Sequence, residues 1–434
     1  VTSVLESPPT TAPPREPEPL QRSLWWPAIE LIGSMRVAVV LLIYLGVVTF
    51  FGTFAQREWD AFTVQKELFE AWWAWTPPSL PFGIPSGLPM PGGLLTMTLL
   101  FCNLVVGGLV RIRWRRRNTG ILITHLGMVL LLLAGWVKYQ FSVSGFLSLY
   151  VGTSGNTFHS FHETELALVQ QDGGRVTERV VPEPVLAGAA SAPLPIATGD
   201  LPFELTVSHW SEDCRPVTAP TADHGGRPVL DGAFLMPVPA ESMPEKVEER
   251  FPGCYARLVE KKTGAVHEAM LWSRENPPLF QNSAPWQFEV DGRRFGLILR
   301  RRVFDLPFTV RLDDFSKTDH PGTDNPRDYS SRVTVLDEHG ARPVHIFMNN
   351  PLRKDGLVFY QSSWGPPPEM QRRMDPSQPV RYWSQFEVAD NPSDQWPKWA
   401  CYVIAFGLVV HFSSKLRGYI RAQLRNRVSA RGAA

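Results

Sequence analysis

Cysteine is scarce in this sequence: there are four in 434 residues, and none begins a Cys-x-x-Cys-His run. The chain therefore has no attachment site for covalent haem of its own. No phosphate-binding loop, dinucleotide fingerprint or hydrolase triad stands out, so nucleotide and hydrolytic chemistry have no foothold. Net charge is nearly absent too, at +1 from 43 basic and 42 acidic residues. That balance gives no global pull toward nucleic acid or an acidic surface. Overall apolar character is also missing, with a mean hydropathy of −0.11. A chain lying mostly in lipid would be more apolar, so a few spanning helices beside a large soluble part fit better. The start, VTSVLESPPTTAPPREPEPL, lacks the basic stretch and apolar core of a secretory signal. It is rich in Pro, Ser, Thr and Glu and cannot bury enough apolar area to offset its ordering entropy. Residues 1–30 are accordingly read as a disordered cytoplasmic N-terminus.

Four runs are long and apolar enough to cross a hydrocarbon core of about 30 Å, which takes about 20 helical residues. They are Met35–Phe54, Gly92–Val110, Gly120–Val137 and, least apolar, Trp396–Leu416. Their flanks set a direction. RIRWRRR, with Arg111, Arg113, Arg115, Arg116 and Arg117, separates the second and third runs, and KLRGYIRAQLRNRVSARGAA follows the fourth. Basic flanks stay in the cytoplasm, so both termini are placed there, in a multi-pass arrangement in the cell's inner (cytoplasmic) membrane. Residues 31–138 then hold three spans with an outer loop at 56–91, residues 139–395 form an outer domain, and residues 396–434 are the fourth span and a basic tail. Trp72, Trp73 and Trp75 in the outer loop suit a membrane interface, where amphipathic rings are favoured. The arginine run sits too tightly between two spans to serve nucleic acid.

The outer stretch reads as mainly β. FELTVSHW, WQFEVDGRRFGLILRRRVF, FTVRLDDF, SSRVTVLDEHG and LVFYQSSW alternate apolar with polar residues, and turn dipeptides such as Asp291-Gly292 and His339-Gly340 separate them. This implies antiparallel sheet with one face buried. Cys214 and Cys254 both fall in this stretch, where a disulfide can persist, and their pairing stays open. HSFH at 159–162 has a metal-like spacing, but residues three apart on a strand point to opposite faces, so both histidines are read as ordinary surface residues.

Two of ten histidines fall inside spans, His125 and His411. An ionisable side chain in lipid is costly unless it meets a partner or a cavity. Counting from the basic flanks, each lies about five residues, or roughly 7 to 8 Å, inside the cytoplasmic face, which predicts a similar depth. Neutral imidazole is a good iron ligand, and two can hold a haem axially. The arginines at 111–117 and Lys415 lie near the same surface, where haem propionates would seek cations. The spans hold almost no other ionisable groups, which argues against a proton relay. An interhelical hydrogen bond that merely holds the bundle is the competing reading.

These stretches resemble the ResB (CcsB) family of system II cytochrome c biogenesis proteins. The likeness rests on FFGTFAQ at the end of the first span, THLGMVLLLLAG in the third and FGLVVHF in the fourth. In the outer domain it rests on LPFTVRLDDFSKTDHPGTDNPRDYSSRVTV and VHIFMNNPLRKDGLVFYQSSW. The resemblance implies four transmembrane helices with a large mainly-β extracytoplasmic domain between the third and fourth. It further implies a haem-handling subunit that takes haem b outward and helps present it for covalent attachment to apocytochrome c. The family's membrane haem ligand maps onto His125, and His411 matches a histidine of the last span. The implied partner is a CcsA (ResC)-type membrane protein carrying a Trp-rich haem motif, which AWWAWTPP does not reproduce because it lacks that motif's glycines and acid. Whether the two histidines share one haem or pair with a partner's histidines is left open by the sequence. The alternative is a non-catalytic scaffold that holds the partner or apocytochrome without ligating haem. Within the outer domain, residues 349–364 are the stretch expected to matter most for function.

Overall fold

Long apolar runs satisfy every backbone group by themselves only as helices, and helices are what the four runs form. A computed structural model describes residues 26–432 except 79, 113–114, 116–117, 173–174, 219–223, 240–248, 275–284, 324–325, 372, 375–376 and 378. The arginines at 113, 116 and 117, and the first 25 residues, lie outside the described part. Among the described residues, the helices long and apolar enough to span are Met35–Ala55, Gly93–Val110, Thr119–Phe141 and Trp396–Asn426. The last belongs to a helix that runs on to Gly432, 37 residues in all. At 1.5 Å per residue that is about 55 Å, well beyond a hydrocarbon core, so its basic end continues past the span. The chain divides into two units: residues 1–54, 67–133 and 396–434, and residues 55–66 and 134–395.

In the helical unit small residues set the packing. The third and fourth spans run antiparallel with Gly120 against His411, Thr124 against Gly407 and Gly127 against Ile404. A side chain at Gly120 would overlap the His411 main chain, and a Cβ at Gly407 would come within 2.6 Å of the Thr124 nitrogen. Close backbone approach through such residues is a common way for helices to associate in lipid. The second span changes character midway. It is α-helical over Gly93–Asn103 and widens into a π-helix over Leu104–Val110. Asn103, nearly buried at the junction, donates through its amide to the carbonyls of Ile32 and Ser34, satisfying main-chain acceptors between the short helix Trp26–Ile32 and the first span. In the loop before the second span, Trp73–Trp75 pairs antiparallel with Pro89–Pro91. This leaves the Trp73 and Trp75 side chains 65% and 60% exposed on one face while Ala74 is buried on the other.

The β unit is built on one long strand, Arg293–Asp319. It pairs with Ser154–Asp172 on one side and Pro326–Asp337 on the other, while Trp286–Val290 folds back onto its start. Asp291 and Gly292 turn that hairpin with φ of +53° and +70°, the pattern of a type I′ turn. The motifs GRRFGLILRRRVF and FTVRLDDF, expected as separate strands, are therefore one continuous strand. Its pairing with Ser154–Asp172 shifts register between Asp305 and Val310, around Pro307, which has no N–H to give a ladder.

Two cores hang on this strand. Its first half contributes Phe295, Leu297 and Leu299 to a core with Phe203, Leu205 and Leu258 from a second sheet. Its second half contributes Val310 and Leu312 to a core with Val333, Ile346, Phe359, Phe386 and Val388. In strand order these last residues come from both ends of the large sheet, so the sheet curls until its ends share one interior. The Ser331 and Ser384 hydroxyls, 2.8 Å apart and buried, mark this closure.

Candidate functional site

The candidate site residues His125 and His411 both lie in the helical unit. The π-helical turn of the second span brings Gly107 and Gly108 to its packed side. Gly107 meets the Gly33 main chain, and Gly108 meets the ring of His125. A Cβ on Gly108 would stand 3.0 Å from His125 Cγ, 3.1 Å from Cδ2 and 3.3 Å from Nδ1. The imidazole therefore lies flat against bare backbone, and a π-helix, rare in proteins and frequent at functional sites, supplies that surface. His125 Nδ1 is buried and has no hydrogen-bond partner among the described residues.

His411 is placed differently. Its main chain faces Gly120 at the crossing of the third and fourth spans. The register sets His411 opposite Gly120 rather than opposite His125, an offset of about five residues, or roughly 7.5 Å along the axis. The similar depth expected from the flanks is thus refined to about one and a half turns of separation. The Nδ1 of His411 is also buried without a hydrogen-bond partner among the described residues.

Buried polar atoms are nearly always satisfied, and an unsatisfied one costs on the order of 1–3 kcal/mol. Two histidines in apolar helices share this unusual state. No bond at Nδ1 ties either ring to a neighbouring helix, so the interhelical hydrogen bond of the structural reading is not made through that atom. An imidazole nitrogen without a protein partner fits the requirement for a ligand offered to iron. Among the described residues no three His, Cys, Asp or Glu side chains converge on one point. Of the cations near the basic flanks, Arg111 is engaged: its Nη1 donates to the carbonyls of Glu30 and Gly33, each at 3.2 Å. Lys415 is exposed.

In the β unit the histidines of HSFH are not ordinary surface residues. His162 stacks on Phe62 with ring centroids 3.7 Å apart. His159 lies 5.8 Å from the Phe146 ring. Burial pushes both down to about 4, helped by the positive charge of Arg300 beside His159 and of Arg301 beside His162. Among the described residues, no third His, Cys, Asp or Glu joins them in a group that could hold a metal. The sequence could not show the burial of His162, because the ring that covers it comes from the segment 55–66, far away in the chain.

Cys214 and Cys254 are free and buried. The Cys214 sulfur lies against Gly253, on the sheet face shared with Tyr255, whereas Cys254 turns into the first core. Burial raises both thiols, Cys214 to about 12, so neither is an activated nucleophile.

Within residues 349–364, Phe359 is wholly buried in the second core. Trp364 stacks on Phe315 at 5.7 Å, with the Lys317 ammonium 4.7 Å from its ring. Gln361 donates to Ser384 Oγ at 2.7 Å. Much of this stretch closes the curled sheet.

This is a membrane protein class with four candidate spans, three before and one after a large mainly-β region. Within that region residues 287–374 match the ResB-like family, and the chain carries a ResB-like family domain there. The match runs from the start of the long strand's hairpin through the strand Leu357–Gly365, taking in much of the second core. No curated protein matches the chain significantly.

Proposed function

We propose that this chain is a haem-handling membrane subunit of a system II cytochrome c synthase. It receives haem b near the cytoplasmic face of the helical unit and helps present it outside to apocytochrome c, together with a CcsA (ResC)-type partner. The observation that carries this reading is His125. An imidazole sits deep in an apolar helix, flat against Gly108, with a buried nitrogen that no protein group satisfies. The ResB-like domain supports the pathway. The basic segments at Arg111–Arg115 and after Lys415 support cytoplasmic termini and an outer β unit.

Thioether formation adds a cysteine S–H across a haem vinyl group, a reaction governed by how the partners are held. In this reading His125 would hold the haem iron through its imidazole. Gly108 fixes its ring plane, and the surrounding apolar side chains exclude water. His411 would be the second candidate to hold haem iron, with His125 or with a histidine of the partner.

A scaffold role has one observation in its favour. The His411 backbone is part of the tightest helix crossing in the unit, against Gly120, so that residue also shapes the bundle. Haem content of the purified chain for His125→Ala and His411→Ala separates the two readings: the haem-handling reading predicts loss from a stably folded His125 variant, and the scaffold reading predicts none.

A further inference from the structure

A helix leaves its last carbonyls without partners unless something caps them. The short helix Trp26–Ile32 stops at Gly33, and its terminal carbonyls are met in two ways. Following main chain serves two of them: Gly33 N donates to Ile29 O at 3.0 Å and Ser34 N to Leu31 O at 3.1 Å. Side chains of the second span serve the others. Asn103 donates to Ile32 O, and Arg111 donates to Glu30 O at 3.2 Å. Each side chain makes a second bond to the break itself, Asn103 to Ser34 O at 3.0 Å and Arg111 to Gly33 O at 3.2 Å.

Asn103 and Arg111 are the residues that flank the π-helical turn Leu104–Val110. Between them the two chains touch through bare backbone. A Cβ on Gly107 would stand 2.6 Å from Gly33 O, and one on Gly33 would stand 3.0 Å from Gly107 N. The break before the first span is therefore bonded to both ends of the π segment and packed on its middle. Arg111 N donates to Val106 O at 2.9 Å, the five-residue step of a π-helix. Such helices are rare, so one persists only where its surroundings hold it. Asn103 is 8% exposed. A side-chain amide in an apolar helix is costly unless its bonds are made, and here its N–H groups are spent on the break. Arg111 is exposed, so water competes for its bonds and its share is smaller. The same π segment carries Gly108, whose main chain lies against the His125 ring. Closing the segment into α-helical steps would shorten each bond by one residue and turn Gly108 from its present face.

We propose that Asn103 is a positioning residue of the His125 site, with Arg111 in support. By capping Trp26–Ile32 it holds the second span in the π form, and the π form lays Gly108 under the imidazole. The seat of His125 is thereby coupled to the docking of the short helix that precedes the first span. The inference rests on the reading above for what His125 binds, but the seat itself is measured without haem.

The test uses the full chain, freed of haem, in detergent near pH 7. Diethyl pyrocarbonate modifies neutral imidazole, and mass spectrometry reads each histidine separately. In wild type His125, with its Nδ1 buried, is expected to react slowly. Asn103→Leu is close in size but lacks the donors. His125 should then react roughly fivefold or more faster, because carbonyls left bare make local opening easier. His411 on the fourth span should keep its wild-type rate and serves as the control. Arg111→Met should raise the His125 rate by a smaller factor. Because Asn103 acts through Gly108, the double variant Asn103→Leu/Gly108→Ala should react no faster than the faster single variant. In haem-loaded protein, Asn103→Leu should broaden the Soret band. A wild-type chain that binds no haem would defeat the reading of His125 and leave the modification rates to decide this inference. An unchanged His125 rate in Asn103→Leu, an equal rise at His411, rates that multiply in the double variant, or an unchanged Soret band in a haem-binding Asn103→Leu protein would each overturn the proposal. If Asn103→Leu does not fold, an unchanged His125 rate in Arg111→Met overturns it instead.

Discussion

The His125 ring lies against Gly108 so closely that one added carbon would stand 3.0 Å from the imidazole Cγ. Two helices are locked together by this contact, and the glycine leaves room for nothing else. Gly108→Ala should therefore push the ring aside or part the helices. Overpacking of this kind costs about 1–3 kcal/mol. The expected outcome is a folded protein with haem content reduced several-fold and a broadened Soret band. Unchanged spectra in Gly108→Ala would show that the contact does not orient the ring.

The Gly108 contact could not be read from the sequence, although its ingredients were visible. The spans were legible because length and apolarity are enough to define them. Gly107-Gly108 was also plain in the second span, but a π-helix has no simple sequence signature, and without it the face that Gly108 presents cannot be assigned. His411 was expected near the cytoplasmic end of its span by counting back from Lys415. Its offset from His125 depends on the register of Gly120, Thr124 and Gly127 against the fourth span, which is a tertiary choice. In the β unit, alternation marked most strands, and Asp291-Gly292 marked its hairpin. Arg293–Asp319 was expected as two strands, whereas the residues around Pro307 are absorbed in a register shift of one continuous strand. His159 and His162 were taken for surface residues because the groups that bury them are distant in sequence.

His411 and His125 should differ in what their loss does. His411→Ala removes an imidazole whose backbone sits in the Gly120 crossing, yet leaves that backbone unchanged. If His411 is the second ligand of the same haem, its variant should lose haem to a similar extent as His125→Ala, with the same thermal stability as wild type. Intact haem in a stable His411→Ala protein would assign the second ligand to another chain.

The curled sheet of the second core should be sensitive to truncation. Phe359 and Phe386 are each fully buried there. Replacing either with alanine should cost about 3–5 kcal/mol from lost transfer energy and the cavity left behind. Chemical denaturation followed by tryptophan fluorescence measures this. A loss below about 1 kcal/mol would mean that the core is not packed as described.

Acid should destabilise the β unit through its buried histidines. His159 and His162 are held down to about 4, against 6.5 when unfolded. Above pH 6.5 both are neutral in either state and stability does not depend on them. Between about 6.5 and 4 the unfolded chain takes up protons that the folded chain refuses, so stability falls as pH falls; below about 4 the loss is complete. Melting temperature measured from pH 7.5 to 5 should decline in wild type and decline less in His162→Phe, which retains the stack on Phe62. Identical slopes would contradict the burial of His162.

The central claim is that His125 binds haem. The most direct measurement is the absorption spectrum of the purified full chain, wild type and His125→Ala, with and without added imidazole. A Soret band that is strong in wild type, lost or much reduced in a stably folded His125→Ala protein, and partly restored by imidazole is the predicted result. Equal haem content in wild type and in a stable His125→Ala protein would contradict it.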